Sequence, residues 1–376
     1  MRICFITSEV FVSRHGGFGK LVRIIGRELA KRGFDVYAIT WAEPGMKKFM
    51  EIDGIKVLSY PYTYTSHSTL KHIVDYSKVI PLIKRVNADV YMSIDCMVET
   101  YIAQKIMPDR KHIIWVQDPF PYERHDYKLL SQVDPLLKTR KFNVLKFGAT
   151  LALYRKAYRN ADVILVQALY FYHFKLSRLF KISSDKVVYM PNPVEYIPRE
   201  DDIQKCEKPT VCYLGRLDPV KRYWIVFELA KLFPDVEFFV IGKPSLAVYE
   251  ELYNTVMRMY KNLKNLHVIG FINGIEKFNV LSKCWVLALP SIREALPLAF
   301  LEALACKCAL LSSVDPDKLV TRFGYYAKQS DFAQGLKYLL SDNAWKRKGE
   351  QGHEYVKRVH ALDKVINRLV KILESF

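Results

Sequence analysis

Short apolar runs recur along this chain in two series, with helix-like stretches between several of them, and that alternation limits the folds open to it. The first series is Ile3–Thr7, Val36–Thr40, Ile55–Ser59, Asp89–Ile94, His112–Gln117 and Asp162–Val166. The second is Val211–Leu214, Val236–Ile241, Leu266–Ile269, Trp285–Leu289 and Ala309–Ser312. Phe18–Arg32 and Thr69–Val86 carry helical spacing between strands of the first series. Continuous apolar runs suit strands buried on both faces, and strands alternating with helices suit parallel sheets. Two series therefore predict two α/β, Rossmann-like domains. The break falls over Met190–Pro209, where Pro191, Pro193, Pro198 and Pro209 cluster with charged and polar residues. A length of 376 residues accommodates two domains. The last stretch, Trp345–Phe376, reads as helical.

Composition narrows the function classes. The opening M-R-I-C-F-I-T-S-E-V lacks the longer apolar core of a signal peptide, and the run Val163–Phe174 is too short to span a bilayer. The seven cysteines show no metal-ligand spacing, and Cys4, Cys212, Cys284 and Cys308 sit in apolar runs where a buried thiol is the default. An odd, unpatterned count fits a reducing compartment, so a cytoplasmic protein is expected. Residues 1–200 hold 31 Lys and Arg against 19 Asp and Glu, most of the net charge of +18. The excess peaks over Lys138–Lys186, with eleven basic residues and two acids, Asp162 and Asp185. Tyr154, Tyr158, Tyr170, Phe171, Tyr172, Phe174 and Phe180 are interleaved. Three readings stand: a solvated basic face with its aromatics in the core, a peripheral site for an anionic membrane at its inner face, or a nucleic-acid site. No RNA or DNA module is recognisable, so nucleic acid is not an expected partner.

Ser291–Ala305 reads S-I-R-E-A-L-P-L-A-F-L-E-A-L-A and follows a strand-like run. Pro297 falls where a first helical residue would sit, which suits its fixed φ and missing N–H. The helix after it starts with unpaired N–H groups and a positive dipole end, a seat for phosphate near Leu296 and Leu298. Glu294 lies before the helix and Glu302 inside it, placed to address opposite ends of one anionic ligand. Upstream, the run Thr210–Leu214 leads into G-R-L-D-P-V-K. Gly215 allows a tight turn there, and Arg216 and Lys221 come near the start of a helix predicted over Val220–Leu232. Two cations at a strand's carboxyl end suit a diphosphate. Each motif alone also reads as an ordinary strand-to-helix turn with solvated charges.

Taken together, G-G-F-G-K at Gly16–Lys20, M-P-N-P-V at Met190–Val194, G-R-L-D-P-V-K and E-A-L-P-L-A-F-L-E-A resemble, in order, the motifs of the retaining glycosyltransferases of family 4. The resemblance implies the GT-B fold, two Rossmann-like domains with parallel sheets facing across a cleft. It implies residues 1–192 as an acceptor domain, joined by a C-terminal helix over 358–376, and 193–357 as the nucleotide-sugar domain. It implies a hexosyl-type transferase that moves a sugar from a nucleotide-diphosphate sugar to a glycan or lipid-linked acceptor in glycan biosynthesis. Glu294 would contact the sugar and Glu302 the ribose hydroxyls. Arg216 and Lys221 would neutralise the diphosphate, while Gly16 and Gly17 let the N-terminal loop come close to it or to the acceptor. No metal or other cofactor is expected, and the Asp315–Asp317 triplet reads as a turn.

The chain departs from the family at three places. A histidine often found at a strand end in the first domain is absent. Asp118 stands at the strand end and His125 further out, and Asp118 is expected to face the anomeric centre. Ala295 replaces a glycine after the first glutamate, and Lys307 replaces one after Ala305–Cys306. A catalytically inactive sugar-nucleotide or glycan binding protein on the same frame is the alternative. A dinucleotide oxidoreductase is disfavoured, because Gly16-Gly17-Phe18-Gly19 lacks the G-x-G-x-x-G spacing.

Overall fold

The computed structural model describes residues 1–10, 16–62, 74–118, 124–138, 144–169, 176–328 and 331–376. In chain order the first strands and helices are β1 (Arg2–Thr7), α1 (Gly17–Lys31), β2 (Asp35–Trp41), β3 (Phe49–Ile52), β4 (Ile55–Tyr60), α2 (Val79–Val86), β5 (Val90–Ile94), α3 (Val98–Ile106) and β6 (Lys111–Val116). Next come α4 (Arg124–Val133), α5 (Pro135–Lys138), α6 (Val144–Asn160), β7 (Val163–Val166) and β8 (Val187–Tyr189). The second series follows as β9 (Thr210–Leu214), α7 (Trp224–Leu232), β10 (Glu237–Ile241), α8 (Ala247–Tyr260), β11 (Leu266–Gly270), α9 (Gly274–Lys283), β12 (Val286–Leu289), α10 (Leu298–Ala305) and β13 (Ala309–Ser312). The chain closes with α11 (Leu319–Phe323), β14 (Gly324–Tyr326), α12 (Phe332–Leu340), α13 (Ala344–Val359) and α14 (Leu362–Glu374).

The chain divides into two compact units. The first comprises Met1–Pro121, Lys141–Pro193 and Asp363–Phe376, and the second Tyr122–Arg140 and Val194–Leu362. The first unit holds an eight-stranded sheet of order β3-β4-β2-β1-β5-β6-β7-β8, parallel except for β3. The second holds a six-stranded parallel sheet of order β11-β10-β9-β12-β13-β14. The central strands β5, β12 and β13 are buried at every residue, whereas the edge strand β11 alternates between exposed and half-buried positions. That difference follows from helices covering both faces of the middle of a parallel sheet.

In the first unit one core gathers Cys4, Ile6, Ile39 and Leu58 with Val79 and Ile83 of α2. Another joins Ile114, Val116, Ile164 and Val166 to Ala157 and Tyr158 of α6. The last helix packs in this unit, where Arg32 Nη2 donates to Asn367 Oδ1 at 3.1 Å. Residues 122–140, which the motif order assigns to the first domain, group instead with the second unit. There Tyr249 of α8 donates to Asp134 at 3.1 Å, and α4 lies beside the turn Pro219–Lys221.

Among the described residues no helix is long and apolar enough to cross a membrane. Of the basic, aromatic segment, Tyr158 and Phe180 are core residues with ring centroids 4.9 Å apart. Arg155 and Lys186 donate to backbone carbonyls, Lys186 to Arg159 O at 2.9 Å and Ala161 O at 3.0 Å. Lys156 and Arg159 are exposed. This part of the segment thus presents exposed cations with Tyr158 and Phe180 inside, an arrangement common to the solvated-face and membrane-surface readings. Tyr170, Phe171, Tyr172 and Phe174 lie outside the described residues, as does the side chain of His125.

One lysine closes two helices of the second unit. Lys205 Nζ donates to Cys284 O, which ends α9, and at 2.6 Å to Cys306 O, which ends α10. It also lies 3.6 Å from Cys308 Sγ. Burial pushes the Cys308 thiol up, but the Cys212 hydrogen bond and the Lys205 charge outweigh burial and bring it down to about 7. A cation at two carbonyl-rich helix ends is favoured by their dipoles. Lys205→Met is therefore expected to destabilise this unit by about 2 kcal/mol, the scale of lost charge-assisted hydrogen bonds. Urea denaturation followed by the fluorescence of the stacked Trp285–Trp345 pair reads the loss. An unchanged midpoint would remove Lys205 from this role.

Candidate functional site

The second unit gathers its charged groups where the carboxyl ends of β9, β10 and β12 meet. Gly215 follows β9, and its N–H donates to Ile241 O at 3.0 Å. Leu217 N–H donates to Lys243 O at 3.0 Å, and Gly242 N–H to Gly270 O at 2.8 Å. The backbones approach so closely that a Cβ on Gly242 would lie 1.8 Å from Gly215 O, and Gly242 has φ +152. Only glycine meets both conditions.

After Gly215 the chain does not enter a helix at Val220 as the sequence predicts. Pro219–Lys221 form a 3-10 turn, Arg222 takes φ 45, and α7 starts at Trp224. The reason is tertiary. Arg222 Nε donates to Pro290 O at 2.7 Å, and its Nη2 donates to Ser313 Oγ at 2.8 Å. Ile292 N–H donates to Val220 O at 2.8 Å. These bonds tie the turn to the segment after β12. Burial pulls the Arg222 guanidinium below its ordinary value.

Across that tie Lys221 Nζ is ion-paired with Glu294 Oε1, which also accepts from Ser291 Oγ at 2.6 Å. Arg216 Nη1 stands 3.2 Å from Asp218 Oδ2, and the Arg216 side chain is 46% exposed. Asp218 is buried and accepts from Ser245 N–H at 2.9 Å and Ser245 Oγ at 2.8 Å. Tyr213 OH donates to Arg216 O at 2.6 Å. Burial, then the nearby Asp218 and Glu294 charges, push the Tyr213 phenol well up, which keeps it a donor.

Pro297 is the residue before α10, not its first residue, with φ -66 and ψ 129. Proline's fixed φ fits this extended position as well as a helical one, and Pro297 O accepts from Phe300 N–H at 3.0 Å. Leu296 is buried, and Leu298 opens the helix with the unpaired N–H groups of any helix start. Glu302 faces inward and pairs with Lys277 Nζ of α9 at 2.8 Å, both residues being buried. Asp315 accepts from Val320 N–H at 2.7 Å and Thr321 Oγ1 at 2.5 Å, so this aspartate closes a turn.

The second unit thus brings Arg216, Lys221, Glu294, Leu296, Leu298 and Glu302 to one sheet edge and the helix behind it. Gly16, Gly17 and Asp118 belong to the first unit. Gly16 precedes α1, and its missing Cβ makes room for Glu9, whose Oε1 would lie 1.9 Å from it. Gly19 N–H donates to that oxygen at 3.1 Å. The glycine-rich turn therefore seats the protein's own carboxylate at a helix start. Gly17 has open space around it. Asp118 N–H donates to Asp95 Oδ2 at 2.8 Å. Beside it Gln117, Gln167 and Asn192 form a buried amide cluster, with Gln117 Nε2 donating to Asn192 Oδ1 at 3.1 Å. Asp218, Arg222 and Lys277 escape a reading by motif, because Ser245, Pro290 and Glu302, which they bind, lie far off in sequence.

Solved structures similar along the whole chain share its fold. A sucrose-phosphate synthase from Thermosynechococcus elongatus shares 16% identity over 100% of this chain and 98% of its own, with a TM-score of 0.79. Anabaena HepE in complex with UDP-glucose shares 14% over 100% of both chains, with a TM-score of 0.72. WaaG, a glycosyltransferase involved in lipopolysaccharide biosynthesis, shares 14% over 97% of this chain and 98% of its own, at 0.67. The fold is GT-B, with an α/β unit built on each of two sheets. Within it, residues 199–354, all in the second unit, match the family model of glycosyl transferases group 1. Compared with curated protein sequences, the chain matches none.

The close approach at Gly242 gives a direct check on how this edge is built. Gly242→Ala is expected to destabilise the unit by about 2–4 kcal/mol, the range for a strained backbone with a forced shift. Thermal denaturation measures it. A variant as stable as wild type would show that the two loops are not locked as described.

Proposed function

We propose that this protein is a retaining glycosyltransferase that uses a nucleotide-diphosphate sugar as donor and needs no metal. The observation that carries the reading is the pairing of Lys221 with Glu294 beside Arg216 at the carboxyl edge of the sheet. A diphosphate entering there exchanges the Lys221 ammonium from a carboxylate to a phosphate and meets the half-exposed Arg216. The amides that open α10 add donors. As the sugar departs, charge grows on the nucleoside diphosphate, and fixed cations stabilise that charge where water is excluded. Glu294, released from Lys221, addresses the sugar. Glu302 addresses the ribose, and Asp118 the anomeric carbon. The acceptor is a glycan or a lipid-linked glycan. Support comes from the family match within the second unit and from similar proteins: HepE was solved with UDP-glucose and with UDP, and WaaG is involved in lipopolysaccharide biosynthesis.

Turnover of UDP-sugars and other nucleotide-sugars, with and without acceptor, tests the reading. Arg216→Ala and Lys221→Ala are each expected to lower kcat/KM by about a hundredfold or more, the scale for lost charge stabilisation. Wild-type activity is expected to survive EDTA. Unchanged rates in both variants remove the diphosphate assignment, and loss with EDTA restored by magnesium or manganese removes the metal-free one. Nucleotide binding with no turnover under any condition points to a binding protein on the same frame.

The two glutamates are separable. Glu302→Gln is expected to weaken UDP and donor alike, whereas Glu294→Gln spares UDP and lowers turnover. Calorimetry showing the opposite pattern would overturn the separate roles.

A further inference from the structure

The buried pair of Lys277 and Glu302 has no part in charge neutralisation at the sheet edge. Lys277 is the fourth residue of α9, and Glu302 lies in the second turn of α10. Their side chains are 5% and 7% exposed, and Nζ and Oε1 are 2.8 Å apart. The Lys277 ammonium also sits 4.8 Å from the centroid of the Phe278 ring. Around them the helices bury Phe278, Leu281, Phe300, Leu301 and Leu304. Taking two charges out of water costs several kcal/mol per ion, and an apolar pair of similar size often serves stability as well or better. Stability therefore does not call for the pair. What it supplies is position. Lys277 provides the counter-charge, holds one carboxylate oxygen and fixes the direction of the carboxylate from a second helix.

We infer that Lys277 is a positioning residue that holds Glu302 for the hydroxyls of a ribose, and so sets the preference of this site for a ribonucleoside diphosphate. The inference rests on the nucleotide-sugar reading above. A carboxylate held in place to accept from hydroxyls discriminates against a ligand that lacks them, because that ligand forfeits those hydrogen bonds. That discrimination depends on orientation, and a carboxylate released from Lys277 loses it.

Isothermal calorimetry with UDP and with 2′,3′-dideoxy-UDP tests this on wild type, Lys277→Met and Lys277→Arg. Wild type is expected to prefer UDP by about tenfold or more, the effect of a lost hydrogen-bonding pair at a buried acceptor. In Lys277→Met the UDP affinity falls to near that of the dideoxy analogue, whose own affinity is unchanged. Lys277→Arg keeps most of the preference, since it retains charge and a donor. A folded Lys277→Met with the wild-type ratio overturns the inference and leaves the nucleotide site standing. A wild-type protein that binds none of UDP, GDP and ADP removes the nucleotide reading itself, and this inference with it. If Lys277→Met does not fold, Lys277→Arg and Glu302→Gln decide: loss of the ratio in Glu302→Gln with retention in Lys277→Arg supports the inference. An intact ratio in Glu302→Gln overturns it.

Discussion

Three main-chain hydrogen bonds at one edge of the second sheet tie together the loops that carry Arg216, Lys221 and Glu294. Gly215 N–H reaches Ile241 O, Leu217 N–H reaches Lys243 O, and Ile292 N–H reaches Val220 O. Neighbouring parallel strands end side by side about 4.8 Å apart, so the loops that leave them run close together. Here they are tied, not merely adjacent. Once the turn after β9 is bound to the segments after β10 and β12, Lys221 and Glu294 are brought into contact without any choice by their own flexible side chains. Asp218 reinforces the arrangement by binding the main chain and side chain of Ser245. Arg222 does the same toward Pro290 and Ser313. The glycines are the condition for this tie, since a single methyl at Gly242 would occupy the space of a carbonyl oxygen.

Two carboxylates of one motif meet different surroundings, and the difference sorts their chemistry. Glu294 and Lys221 keep side-chain exposures of 10% and 16%, against 7% and 5% for Glu302 and Lys277. The first pair joins a turn to a loop, with a serine hydroxyl on the same carboxylate oxygen. The second joins two helices among aromatic and aliphatic side chains, where separating the partners would leave an uncompensated buried charge. The Lys221–Glu294 pair is thus the less buried of the two, and it ties a turn to a loop where Lys277–Glu302 ties helix to helix.

The central strands and the order of the motifs are legible in the sequence because burial on both faces leaves uninterrupted apolar runs, as in Ile3–Thr7 and Ala309–Ser312. Three of the four edge strands leave no such mark. Phe49–Ile52 carries Glu51, Val187–Tyr189 is three residues long, and Gly324–Tyr326 begins with a glycine. The charged residues of the site are legible as motif positions, yet their partners are not. Lys277 reads as one lysine in a polar helix start until α10 is laid beside α9. The helix read from Val220 is interrupted because Arg222 adopts a left-handed φ to reach Pro290, a demand made by a residue far along the chain. Lys307 shows the reverse case. It takes φ 58 where the resembled family has glycine, a conformation costing an ordinary residue about 1–2 kcal/mol. The turn persists because α13 comes against it at Gly349, where a Cβ would lie 2.2 Å from Lys307 O. Packing sets the backbone there, and the side chain at that position is tolerated.

The glycine-rich turn of the first unit shows how a motif and its role can separate. Gly16 is required by close approach, but the group that approaches is Glu9 of the same chain. Its carboxylate accepts from Gly19 N–H at the positive end of α1, the place where a free phosphate would otherwise be stabilised. A seat already filled by a tethered anion favours another anion only if that anion binds more strongly than the carboxylate it displaces. In the second unit Arg216 likewise meets a carboxylate of its own chain, Asp218, which is itself held by Ser245. Both turns therefore set a carboxylate of the same chain against their own polar groups, and the turn before α1 serves first to order the start of its own helix.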